Sequence, residues 1–173
     1  MTLTIEQLMK INLIMTTFKD NDSKLVSEII KLLHGTLNIE KSITDKTMIE
    51  LNKLLLKEDY DLVHRFEYDG VEYGFIPNLS KITAGEFIDL DNYMNEEPKQ
   101  LHKICSILYR PITRTFGKYY EIEDYEGTDK LADIMMKVDV SIILGAMVFF
   151  YSLSKSLLDH TNTYIQKELK KIS

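Results

Sequence analysis

A mainly helical α+β fold packed around one core is what this sequence predicts, and three observations carry the prediction. Apolar residues recur at helical spacing along most of the chain. An Asp69-Gly70 pair separates two short alternating segments midway. Of 173 residues, 45 % are hydrophobic, which fills one core but leaves two cramped. A single domain, 1–173, is therefore expected: helices over 1–58, then a hairpin, short helices and an acidic tyrosine-rich segment over 59–127, then helices over 128–173.

In the first helix Ile5, Leu8, Met9, Ile11, Leu13, Ile14 and Phe18 keep close to one face, and Thr4 with Gln7 forms a capping pair at its start. A second helix is expected from Asp22 to His34, with Leu25, Val26, Ile29, Ile30, Leu32 and Leu33 inward. Gly35 stops it, because glycine adopts the left-handed conformation that closes helices. Thr44 opens a third, where Met48, Ile49, Leu51, Leu54, Leu55 and Leu56 make one wide apolar stripe. A helical hairpin plus a third helix lets these stripes bury one another.

The period then changes. Arg65 to Tyr68 and Val71 to Phe75 alternate around Asp69-Gly70, a pair suited to the positive φ angles of a type I′ turn, so a β-hairpin is inserted here and Pro77-Asn78 ends it. Thr83 with Glu86 is a capping box, and the short helix after it carries Phe87, Ile88, Leu90 and Tyr93. Pro98 fits the first turn of the next helix, which puts Leu101, Ile104, Cys105, Leu108 and Tyr109 toward the core and stops at Pro111. Residues 113–127 read either as a short strand or as an extended arm. Helical pattern returns at Thr128, with Asp139 as a cap before a last helix running to about Lys171.

Composition narrows the function. Twenty-seven acids against 21 bases give a net charge of −6 with no dominant basic stretch, which argues against binding nucleic acid by neutralising phosphates. Cys105 is the one cysteine and has no internal partner, so a reducing site of synthesis is expected. The first residues lack the leader, apolar run and cleavage site of a signal peptide. The apolar run Val140 to Leu153, bracketed by Asp139 and Lys155, is shorter than the roughly 20 residues of a membrane span and reads as a buried or interface helix.

Catalytic and metal chemistry find little footing. His34, His64, His102 and His160 are scattered, and the nearest pairing, His102 with Cys105, has no further ligand close in sequence. Glu86, Asp89, Asp91, Glu96 and Glu97 cluster around one short helix; a small enzyme using these acids is one alternative, but Glu86 is already claimed by the capping box. Ser106 and Cys105 belong to a patterned helix without a charged base beside them. Arg110 and Arg114 are expected to pair with acids. No glycine-rich phosphate loop stands after a strand, so no catalytic, metal or cofactor residues are assigned and no cofactor is expected.

Two stretches read as interaction surfaces instead. One is Tyr119, Tyr120 and Tyr125, interleaved with acids, since tyrosine is favoured at interface centres. The other is Ile142, Ile143, Met147, Phe149 and Phe150, in a helix apolar on nearly all faces that needs either central burial or a neighbouring chain.

Across Val71 to Tyr125 the order of features, with Phe75-Ile76-Pro77, ITAGEFIDLDNYM, a helix closing on Ile107 to Pro111 and then Tyr120 to Tyr125, resembles small structural or tail-associated proteins of tailed bacteriophages, particularly of crAss-like phages. About a third of the chain is covered. The resemblance implies a virion component near the portal and tail, structural or cargo delivered with the genome, with other virion proteins as multi-copy partners. A tail assembly chaperone left out of the particle is the alternative. Membrane contact by Ile142 to Tyr151 after a conformational change is also left open.

Overall fold

The computed structural model describes residues 1–153, and the expected continuation of the last helix to Lys171, with His160, lies outside them. Among the described residues are seven α-helices and one four-stranded antiparallel sheet, a mostly helical α+β fold. Three helices come first: α1 (Ile5–Thr17), α2 (Asp22–His34) and α3 (Lys41–Leu55). The Thr4–Gln7 capping box opens α1, and Gly35 closes α2 at φ 72°. α3 begins three residues before the expected Thr44, with no side-chain cap at Glu40. Its stripe is narrower than predicted: Leu51 is buried, Thr47 is buried against His34, and Ile49 and Leu56 face solvent. Leu13 of α1 is likewise exposed.

The sheet runs in the order β1 (Arg65–Tyr68), β2 (Val71–Phe75), β3 (Tyr109–Phe116), β4 (Tyr119–Ile122). Asp69 and Gly70 have φ 51° and 74°, as a type I′ turn requires, and pair Tyr68 with Val71. The second hairpin turns at Gly117-Lys118, with Gly117 at φ 59° in the first central position.

β3 corrects two expectations. The helix before it, α5 (Leu101–Leu108), does not carry Tyr109 to a stop at Pro111; the chain passes straight into a strand at Tyr109. The run Tyr-Arg-Pro-Ile-Thr-Arg-Thr-Phe is rich in aromatic and β-branched residues, which a pleated surface favours. Pro111 has no amide to give, and its carbonyl accepts from Glu123 beside a register shift between Ile112 and Arg114. Nor does Pro98 open α5, because residues 96–100 form a connection and the helix starts at Leu101. The remaining helices are α4 (Ala84–Asn95), α6 (Asp129–Met135) and α7, described over residues 140–153.

One contiguous buried cluster runs from Leu3 and Ile5 through Leu51, Phe75, Ile104 and Tyr109 to Met135 and Ile143, and half-buried Phe66 of β1, Leu90 of α4 and Ile122 of β4 pack against it. Tyr109 is wholly buried, and its hydroxyl donates to the Val63 carbonyl at 2.8 Å, tying α5 and β3 to the extended segment before β1. The start of the chain is stitched to the α6–α7 junction: Ile5 donates to Val138 at 3.0 Å and Val140 to Leu3 at 2.8 Å, with a bridge between Thr4 and Asp139. Asp139 also accepts from the Ser141 amide at 2.8 Å, the cap expected there.

Candidate docking surface

α4 is the element on which the candidate surfaces meet. Thr83 caps it, accepting from the Glu86 amide, while the Glu86 carboxylate reaches back to the Thr83 amide at 2.6 Å. That carboxylate also takes the guanidinium of Arg110 from β3, so a helix start and the sheet are joined by a buried ion pair. Burial on its own would raise the Glu86 pKa, but the hydrogen bonds from Thr83 and the Arg110 charge outweigh it and hold the carboxyl below its ordinary value. Arg114 pairs with Glu121 at the surface at 4.0 Å, so both arginines meet acids as the sequence indicates.

The tyrosine-rich segment is strand and loop, with two of its three tyrosines held inward. Tyr120 lies under the Arg65 guanidinium at 4.4 Å and donates to the Phe75 carbonyl at 2.7 Å. Its ring covers Gly74 so closely that a β-carbon there would collide with it. Tyr125 donates to Asp89 of α4 at 2.5 Å and sits beside Arg110. Burial first, then the Asp89 carboxylate, pushes the Tyr125 hydroxyl pKa well up. Only Tyr119 is displayed, 68 % exposed, and it stands opposite exposed Phe116 at the tip of the β3–β4 hairpin.

α7 divides along its length. Ile142 and Ile143 are buried in the chain's own core and offer no surface, which corrects their assignment as contact residues. Both belong to the central apolar cluster, and Gly145 lets the helix rest on the Asp61 carbonyl, where a β-carbon would collide. Met147, Phe149 and Phe150 are half-buried. Phe149 packs edge to face against both Phe150 and Phe75, and Phe150 lies tilted against Phe75. Met147 and Phe150 also line an apolar groove of about 270 Å³, whose other walls are Phe87, Leu90 and Met94 of α4 with Ile104 and Leu108 of α5. A second, polar cleft of about 440 Å³ lies along α4 at Asp89, Asn92, Tyr93 and Glu96, and the two share Asn95.

Phe87 and Ile88, carried on α4 as the sequence indicates, are 60 % and 56 % exposed. Two adjacent residues lie about 100° apart on a helix, so with Glu86 drawn inward by Arg110 both turn out. For the hairpin tip, the pair of aromatics flanking Gly117-Lys118 is the signal by which it could have been found.

The reactive residue types are occupied in packing. Cys105 is wholly buried, and burial raises its thiol pKa far above the ordinary value, away from the thiolate form. Ser106 donates to the Lys103 carbonyl at 2.8 Å. His102 is buried, and its Nδ1 has no hydrogen-bond partner among the described residues. Among those residues no three His, Cys, Asp or Glu side chains gather as metal ligands, and no helix is long and apolar enough to cross a membrane.

Comparison with known proteins yields no match to a family model, to a curated protein or to a solved structure.

Proposed function

We propose that this chain is a non-enzymatic component of a tailed-phage particle, placed near the portal and tail as a structural protein or as cargo delivered with the genome. It is made in the host cytoplasm, ends in the virion and works by docking against other virion proteins in several copies. The observation that carries this reading is the solvent-facing apolar groove between α4, α5 and α7, with Phe87 exposed at its edge and Ile88 exposed next to it in sequence. Apolar surface of this kind, with polar residues along one side, belongs to contacts between proteins. Repetition in an assembly lets individually weak contacts hold, because tethered neighbours meet at high effective concentration.

The resemblance over Val71 to Tyr125 supports the phage setting. The small-enzyme reading is weaker, since Glu86, the acid it would start from, is committed to Thr83 and Arg110 in the interior. Mass spectrometry of purified virions tests the proposal and is expected to find the chain at several copies per particle. A chain abundant in infected cells yet missing from virions would instead favour the assembly chaperone.

A further inference from the structure

We infer that the groove beside α4 receives an amphipathic segment of another polypeptide, with bulky apolar side chains on one face and lysine or arginine on its flanks. This rests on the docking reading above and names the chemistry of the partner. The groove is lined by Leu90 and Met94 of α4, Leu108 of α5, and Met147 and Phe150 of α7, and its polar contributors are Asp91 and Asn95. About 270 Å³ accommodates one or two large side chains, and two methionines give it the pliancy to fit them. Helical segments bind such grooves through anchors spaced along one face.

Charge sets the flanks of the partner. From Thr83 to Pro98 the chain carries no lysine or arginine, and beyond Glu86, which Arg110 neutralises in the interior, it carries Asp89, Asp91, Glu96 and Glu97. Lys99 donates to the Met94 carbonyl and pairs with Glu97, and Lys103 lies over the Tyr93 ring, which leaves Asp89, Asp91 and Glu96 without an ion-pair partner among the described residues. A segment laid across the end of α4 thus seats its apolar residues in the groove, with Asp91 on one flank and Asp89 and Glu96 in the polar cleft on the other.

The same field disfavours other occupants. A second copy docking through this face in two-fold fashion would set one acidic α4 against another. An anionic membrane surface meets the same repulsion.

The test uses the full isotopically labelled chain and two synthetic helical peptides that share a leucine face, one with lysine and one with glutamate at its polar positions. The lysine peptide is expected to shift the resonances of Leu90, Met94, Met147 and Phe150. Its affinity is expected to fall about tenfold in the Asp91→Lys, Glu96→Lys double variant, whose altered residues are exposed and should leave the thermal midpoint unchanged. Equal binding of both peptides, indifference to the charge reversal, or shifts confined elsewhere would overturn the inference. So would contacts showing the groove filled by a second copy or by residues 154–173. Failure here with the chain still found in virions removes only the groove assignment, whereas binding here with the chain absent from virions removes only the phage-particle reading.

Discussion

At Arg110 a guanidinium meets the Glu86 carboxylate inside the protein, both side chains nearly inaccessible. Removing one partner strands the other, at a cost of about 3–5 kcal/mol, whereas replacing both by apolar residues of similar volume is close to neutral. Arg110→Met is therefore expected to destabilise by that amount, and adding Glu86→Leu should recover part of it despite losing the Thr83 contact; urea unfolding reads both. Acid sensitivity follows from the same pair. Because Glu86 titrates below its ordinary 4.5 when folded, the unfolded chain takes up the proton first. The stability it supplies is complete above about pH 4.5 and fades as pH falls toward the lowered folded value.

His102 acts in a higher window. Burial first, then Lys103, lowers its pKa from 6.5, with Asp133 pulling the other way. The folded state prefers the neutral ring, so this contribution is whole above pH 6.5 and declines as pH drops below it. His102→Leu is expected to flatten the stability profile just below pH 6.5 and, by removing an unpartnered buried nitrogen, to add about 1 kcal/mol there. Glu86→Gln should flatten only the more acidic limb. Urea midpoints measured across this pH range separate the two.

Helices and strands show which local signals are sufficient and which are not. The turn at Asp69-Gly70, the stop at Gly35 and the boxes at Thr4–Gln7 and Thr83–Glu86 are each decided by neighbouring atoms, and each was legible from a few residues. β3 was not, because its partners Tyr73 to Phe75 lie more than thirty residues earlier and Pro111 argued locally against a strand. Part of the candidate surface was legible too: Met147 and Phe150 do reach the groove. Its opposite wall depends on the rotation of α4, which Arg110 sets from a distant strand, and no spacing rule in the helix reveals that. Two glycines put element packing to the test. Gly85, in the first turn of α4, has open space where a β-carbon would stand, so Gly85→Ala is expected to stabilise by roughly 0.5–1 kcal/mol. Gly145→Ala would gain the same propensity but drive α7 off the Asp61 carbonyl, and overpacking costs about 1–3 kcal/mol, so the net effect should be loss. Thermal midpoints of the two variants should move in opposite directions.

Across the whole molecule, the stitch between Leu3 and Val140 joins regions that the sequence divides into 1–58 and 128–173. Leu3 is fully buried at that seam, and Leu3→Asp places an unpaired charge there. A cost of about 3 kcal/mol or more is expected, with hydrogen-exchange protection falling at Val138 and Val140 as well as in α1. Loss confined to α1 would mean that the two ends are energetically separate.

The seam also sets a timetable for a nascent chain. Leu3 leaves the ribosome well before its hydrogen-bonding partner Val140, 137 residues further along the chain, has been synthesised. At roughly 5–20 residues per second, the apolar face of α1 waits on the order of ten seconds for its final cover. Throughout that interval it is a target for whatever holds unfinished chains in the cell.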